Sequence, residues 1–125
     1  MNAFIVGDKD SWKWTSMIMQ PAKLVTEALV KDAVEQVKKK KNPPALSKLR
    51  FEKLDEGLAV QIMHLGPYSA EKPTVDKLHI FIRQNGYEPT GKHHEIYLSD
   101  PTRSAPEKMK TVIRQPIKKK EGWRK

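Results

Sequence analysis

The spacing of hydrophobic residues changes from a period of two to a helical period and back again between Leu58 and Ile117. Residues 58–65 alternate as a half-buried strand does, and Gly66-Pro67 ends the alternation. A helical stripe follows, and then two strand-like runs, HHEIYLSD and MKTVIRQPI. The stripe consists of Val75, Leu78, Phe81 and Ile82. The order strand, helix, strand, strand predicts an α+β unit, with an antiparallel sheet and its helix on one face.

Turn residues set the expected limits of these elements. Ser69 is the predicted N-cap of the helix, Pro73 fits its first turn, and Asn85-Gly86 ends it. The stretch YEPTGK at residues 87–92 is predicted to be a loop. Pro116 is expected to stop the last strand, because proline cannot donate to a ladder.

The first half of the chain shows weaker signals. Residues 12–20, WKWTSMIMQ, are predicted to form a strand that ends before Pro21. Thr26 is expected to cap a helix that ends near Lys41. Its apolar stripe consists of Val30, Ala33, Val34 and Val37. A short strand at residues 51–54 and a tight turn at residues 55–57 are expected before the second half begins.

Two segments echo each other, SMIMQPAK at residues 16–23 and TVIRQPIK at residues 111–118. The simplest interpretation is a duplication in which each segment is the last strand of one strand-helix-strand-strand module. The chain would then be a single domain at residues 1–125. Residues 58–117 would be the complete second module, residues 9–57 the remnant of an incomplete first module with a linking helix, and residues 118–125 a basic tail.

The charge and the absence of cysteine exclude several classes of protein. The net charge is +9, but the lysine runs at residues 38–41 and 118–120 lack the interleaved aromatic residues of a single-strand-binding platform, so nucleic-acid binding is not expected. Without cysteine there is no disulfide framework. No apolar run approaches the ~20 residues of a membrane span, so a cytoplasmic protein without membrane attachment is expected.

Glu95 is an unusual residue for its surroundings, because HHEIYLSD otherwise favours a strand. Glu95 and Tyr97 are two residues apart and therefore project from the same face. Glu95 either lies on an outward face in water or lies in a groove. In a groove it would need a cationic partner, or it would serve in general acid-base catalysis with Tyr97.

Further residues are candidates for contact with a ligand. Trp12 and Trp14 share one face of the first predicted strand, and Met17 and Met19 share the other. Other candidates are Gln61, Met63 and Tyr68. His93 and His94 should point to opposite faces, so no histidine and carboxylate set has the spacing of a metal site. The sequence predicts no metal and no cofactor.

Three stretches carry a resemblance to a known family: HLGPY at residues 64–68, NGYEPTGKHHEIYLSDP at residues 85–101 and KTVIRQPI at residues 110–117. They resemble the GyrI-like small-molecule-binding domain, which is also the effector-binding part of some multidrug-responsive transcription regulators. The resemblance implies two modules related by a pseudo-two-fold axis, with a ligand groove between them. It also implies that Glu95 lies in that groove.

The resemblance leaves three functions open. The first is binding of bulky hydrophobic or cationic xenobiotic compounds. The second is hydrolysis, because stand-alone members resemble hydrolases that open the cyclopropane rings of DNA-alkylating natural products, here with Glu95 and Tyr97. The third is an interaction protein that modulates a nucleic-acid enzyme. The incomplete first module further predicts a homodimer, or a neighbouring chain that completes it.

Overall fold

The computed structural model describes residues 13–124. The chain divides into two compact units, residues 1–54 and residues 55–125. Within the described residues, no helix is both long enough and apolar enough to cross a membrane.

The first unit is built around helix α1, Glu27–Lys40. The Thr26 hydroxyl accepts a hydrogen bond from the backbone N–H of Leu29 at 3.3 Å, so the predicted N-cap is confirmed. Glu27 lies in the first turn and three lysines lie in the last, as the helix dipole favours. A short 3-10 helix, Pro44–Lys48, follows.

Two predicted strands of the first unit are wrong. Residues 13–20 and residues 51–54 adopt no regular secondary structure, and Trp12 lies outside the described residues. A strand needs a neighbour for its backbone groups, and neither segment takes part in a ladder. Of the two echoing segments, only the second contributes to a strand. The pseudo-two-fold pair of modules therefore stays a prediction.

The second unit is a four-stranded antiparallel sheet with a helix on one face, so the predicted α+β class is confirmed. The strands are β1 (Ala59–Leu65), β2 (Tyr87–Pro89), β3 (His94–Tyr97) and β4 (Lys110–Lys119), and helix α2 spans Lys72–Gln84. Strand β4 is central: it pairs with β1 on one side, and with β3 and then β2 on the other.

The register places the hydrophobic core between α2 and one face of the sheet. Ile113 lies opposite Ile62 of β1 and opposite Glu95 of β3, so all three side chains project toward the helix. The buried apolar residues are Val75, Leu78, Ile82, Met109, Ile113 and Ile117. Burying each such side chain contributes roughly 1.5–3 kcal/mol.

Helix α2 differs from the prediction at one end and along its stripe. Ser69 lies in a preceding 3-10 helix, Tyr68–Ala70, and the N-cap is Glu71, whose side chain makes no capping hydrogen bond. Phe81 is 52% exposed rather than buried. The predicted C-terminal stop is confirmed, because Asn85 donates its side-chain amide to the Phe81 carbonyl at 2.8 Å and Gly86 has a φ of 77°.

Strand β4 does not stop at Pro116 but continues to Lys119, so Lys118 and Lys119 belong to the sheet and not to a tail. Pro116 pairs with Ala59 on one side, and on the other its carbonyl accepts from Thr90 N–H at 2.9 Å. Its missing N–H faces the gap between β3 and β2, where no ladder bond is lost. The stretch predicted as a loop at residues 87–92 contains β2.

Candidate functional site

Glu95 and Tyr97 lie on the helix-facing side of β3. Tyr97 lies opposite Thr111, as Glu95 lies opposite Ile113, so the sheet register fixes both orientations. The Tyr97 hydroxyl donates a hydrogen bond to Glu95 Oε2 at 2.9 Å. Glu95 is half-buried and Tyr97 is 54% exposed. The two residues form a hydrogen-bonded pair that solvent and a small molecule can reach.

Tyr68 stands beside this pair. Its ring meets the ring of Tyr97 edge-on, with centroids 5.4 Å apart and planes at 66°, an arrangement that aromatic pairs favour. Tyr68 begins the 3-10 helix that follows the Gly66-Pro67 break. The two rings and the carboxylate therefore form one surface.

The buried side chain of His64 fixes the turn that carries Tyr68. One ring nitrogen lies 2.9 Å from the Thr74 hydroxyl in α2, and the other lies 2.9 Å from the carbonyl of Pro67. Because a carbonyl can only accept, Nε2 carries the proton toward Pro67. His64 therefore positions Tyr68 and is not available as a metal ligand.

Glu71 is a second carboxylate of the site, and sequence reasoning missed it. Glu71 is 4% exposed and directly precedes α2. Its negative charge acts on both Tyr68 and Tyr97. We refer to Tyr68, Glu71, Glu95 and Tyr97 together as the Glu95 site.

Both tyrosines of the site keep their protons over an unusually wide pH range. Burial, followed by the charge and the hydrogen bond of Glu95, raises the pKa of Tyr97 far above its ordinary value of 10.0. Burial and the charges of Glu71 and Glu95 also raise the pKa of Tyr68. At neutral pH, Tyr97 is therefore a hydrogen-bond donor and not a source of tyrosinate.

Two histidines next to the site are held in the neutral form. Burial lowers the pKa of His93, although the nearby charge of Glu95 opposes the shift. Burial and the charge of Arg83 lower the pKa of His79. The positive charge that Glu95 and Glu71 would attract is therefore not supplied by these histidines at pH 7.

On the other face of the sheet, an ion-paired cluster holds the start of the second unit. Glu56 lies 2.7 Å from Arg114 Nε and 3.6 Å from His94 Nδ1. His94 lies opposite Arg114 in the register. His93 and His94 therefore project from opposite faces of the sheet. Within residues 13–124 no group of three acidic or histidine side chains could hold a metal ion.

Two predicted ligand residues of the second unit lie away from Glu95 in the sheet. Gln61 and Met63 pair with Arg114 and Val112, which puts them on the face opposite Glu95. Trp14, Met17 and Met19 belong to the first unit, where they are largely exposed. Of the predicted residues in the second unit, the structure brings together Tyr68, Glu95 and Tyr97.

A family model for the GyrI-like small molecule binding domain matches residues 14–118. The chain belongs to this family. The GyrI-like chain is also similar to three solved structures from Listeria innocua. One, described as a hydrolase, is 43% identical with a TM-score of 0.68, and the match covers 79% of this chain and 52% of that one.

The second solved structure, described as an uncharacterized conserved protein, is 44% identical with a TM-score of 0.70, and the match covers 79% of this chain and 50% of that one. The third, also described as a hydrolase, is 41% identical with a TM-score of 0.67. Its match covers 79% of this chain and 50% of that one. The GyrI-like chain thus spans about half the length of these structures. No curated protein is similar enough to the chain to count as a match.

Proposed function

We propose that the Glu95 site binds bulky aromatic cations, of the kind found among xenobiotic compounds. The observation that carries the proposal is the hydrogen-bonded Glu95–Tyr97 pair beside the edge-on ring of Tyr68. A half-buried carboxylate attracts a cation, and aromatic rings contribute cation–π attraction and a flat contact surface. Glu71 adds a second carboxylate to the site.

The local charge runs against the charge of the whole chain. The chain carries a net charge of +9, yet the site gathers two carboxylates and two neutral tyrosines, and the two histidines next to it have lowered pKa values. The net positive charge would therefore attract anions to this protein, whereas the site itself favours a cation. Selective binding of a cation would reflect the site and not the net charge.

A matched pair of probes tests the proposal. N-methylacridinium and acridine have nearly the same shape, and only the first is charged at pH 7.5. We expect calorimetry to show tighter binding of the cation, and Glu95→Gln to weaken it about tenfold, the effect of one charge-assisted contact. Glu107→Gln, at an exposed turn residue, is the control with the same charge change. Equal binding of both probes, or equal loss in both variants, would contradict the proposal.

A second candidate function is hydrolysis of a strained ring, and the descriptions of two similar structures as hydrolases favour it. Glu95 would orient water and take its proton while the water oxygen attacks a ring carbon of a cyclopropane conjugated to a carbonyl. The ring C–C bond breaks, its electrons move to the carbonyl oxygen, Tyr97 donates a hydrogen bond there, and the oxygen takes its proton from water. Product formation that Glu95→Gln abolishes and Glu107→Gln preserves would establish this activity, and binding without turnover would exclude it.

We also propose that a second copy of the chain covers the free edge of β3. Among the described residues, β3 pairs only with β4, and Ile96 and Leu98 beside it are 38% and 55% exposed. Native proteins rarely leave such an edge bare, and self-pairing would bring two Glu95 sites together. Sedimentation should show a dimer that Ile96→Lys dissociates, and a monomer at about 50 μM, well above typical dimer dissociation constants, would contradict it.

A further inference from the structure

A second concavity lies at the far end of the sheet, where the C-terminal segment returns to the end of α2. Its volume is about 300 Å³, and its lining residues, which we call the Trp123 cavity, are Arg83, Tyr87, Glu88, Pro89, Lys120 and Trp123. Tyr87 lies opposite Lys119, whereas Glu95 lies opposite Ile113. These two positions of β4 are six residues apart in sequence, about 20 Å at the rise of a strand. The cavity is therefore distinct from the Glu95 site.

The aromatic wall of the cavity is held in place by the backbone. Lys120 N–H donates to the Gly86 carbonyl at 2.9 Å, and Trp123 N–H donates to the Lys120 carbonyl at 3.3 Å. The indole packs so closely on Gly86 that a Cβ at that position would overlap it. Trp123 nevertheless remains 39% exposed. One side of the indole is thus fixed on the protein, and part of the ring stays accessible.

The charges that line the cavity are unbalanced. Glu88, its only carboxylate among the lining residues, is engaged by Lys118, whose Nζ lies 3.0 Å away. Arg83 and Lys120 form no ion pair with any described residue. The last turn of α2 would repel an anion, but its Phe81 and Arg83 carbonyls accept hydrogen bonds from Asn85 and Gly86. The two cations therefore dominate the local potential.

We propose that the Trp123 cavity binds a planar aromatic molecule that carries an anionic group. The ring would stack on the accessible part of Trp123, with Tyr87 beside it. The anion would lie between Arg83 and Lys120, whose N–H groups form charge-assisted hydrogen bonds. The volume suits a single ring system, since it lies at the lower end of the ~300–1,000 Å³ of ligand pockets.

Calorimetry with three probes tests whether the ligand needs both a ring and an anionic group. It also distinguishes a nucleotide from a simple aryl anion. AMP represents a nucleotide, naphthalene-2-sulfonate represents an aryl anion, and 2-naphthalenemethanol is the neutral ring. We expect at least one anion to bind with a dissociation constant below about 1 mM, and the tighter anion identifies the source. Weaker binding of the neutral ring would support the proposal. Equal binding of the neutral ring, or no anion binding at millimolar concentration, would overturn it.

Variants separate the cavity from general attraction to a basic protein. Arg83→Gln and Lys120→Gln should each weaken anion binding roughly five- to tenfold. Lys77→Gln removes the same charge from an exposed position on α2 outside the cavity and should change it less than about twofold. Equal effects at Lys77 and Arg83 would overturn the proposal.

The stacking contact has its own pair of variants. Trp123→Leu should weaken anion binding roughly tenfold or more, since stacking on an aromatic ring is worth ~1–3 kcal/mol. Trp123→Phe, which keeps a flat ring, should restore most of it. Thermal unfolding of both variants shows whether the fold is retained, and unchanged anion binding in a folded Trp123→Leu protein would overturn the proposal.

Discussion

At the residue scale, the properties of the Glu95 site come from neighbours and not from single side chains. Glu95 is a half-buried acid on an edge strand, and the Tyr97 hydroxyl 2.9 Å away gives it a hydrogen-bond donor. Tyr97 in turn owes its raised pKa to burial and to the same carboxylate. The pair is a donor and an acceptor already aligned, which reduces the ordering cost when a ligand binds.

The raised pKa of Tyr97 gives a pH prediction with a definite sign. The folded protein holds this proton more tightly than the unfolded chain, so its stabilising contribution is complete below pH 10.0, the ordinary tyrosine pKa, and is lost as the pH rises above it. We expect urea midpoints of the native protein to fall more steeply above pH 10 than those of Tyr97→Phe.

Tyrosinate absorbance provides an independent check on that assignment. The component that titrates at the highest pH should disappear in Tyr97→Phe and remain in Tyr87→Phe, because Tyr87 belongs to β2 and not to the Glu95 site. Identical titration curves for the native protein and Tyr97→Phe would show that the proton is not held as described.

At the element scale, the C-terminal end of α2 is fixed by Gly86. Its φ of 77° suits glycine, and Trp123 occupies the space that a Cβ would need. A substitution here would combine backbone strain with displacement of the indole. The turn between α2 and β2 and the closing turn at Lys120–Trp123 therefore depend on the same residue.

We expect Gly86→Ala to destabilise the fold by about 2–4 kcal/mol, the sum of left-handed strain and lost packing. Gly91→Ala is the matched control, because Gly91 also has a positive φ, 57°, but a Cβ there would meet nothing within 4 Å. It should cost only the strain, about 1 kcal/mol. Urea unfolding measures both, and equal losses would show that Trp123 contributes nothing.

Local patterns predicted the elements whose boundaries are set by nearby residues. Helix α1 has its Thr26 cap, α2 has its Asn85-Gly86 stop, and β1 and β3 have their alternation. The errors have a common cause in contacts that are distant in sequence. Pro116 is tolerated in β4 because of the gap between β3 and β2, and residues 13–20 lack a strand partner.

The site was predictable to a similar extent. The period of two placed Glu95 and Tyr97 on one face, and Tyr68 was among the other candidates for ligand contact. Glu71 has no sequence signal that separates it from an ordinary acid at a helix start, since its role depends on burial. Gln61 and Met63 were proposed as ligand residues but lie on the face opposite Glu95, because periodicity groups residues without saying which face meets the helix.

At the scale of the whole molecule, the second unit contains every strand, α2 and all the buried apolar residues among those described. Helix α1 has no buried residue. The second unit therefore has a hydrophobic core of its own. The Glu95 site and the Trp123 cavity both belong to residues 55–125.

A fragment of residues 55–125 should fold by itself, starting before Glu56 so that its ion pair with Arg114 is kept. We expect a cooperative thermal transition within about 5 °C of that of the full chain, a shift that corresponds to roughly 1 kcal/mol for a domain of this size. A fragment that starts at residue 58 is the comparison and should be less stable. An unstructured 55–125 fragment would show that the first unit is required.

The position of β4 has a consequence for folding during synthesis of the protein. Strands β1, β2 and β3 all pair with this one strand, which is the last of them in sequence. A ribosome must therefore complete residues 110–119 before any ladder can close. Until then the apolar side chains of the nascent chain have no sheet to join, and they are exposed to chaperones and to one another during translation.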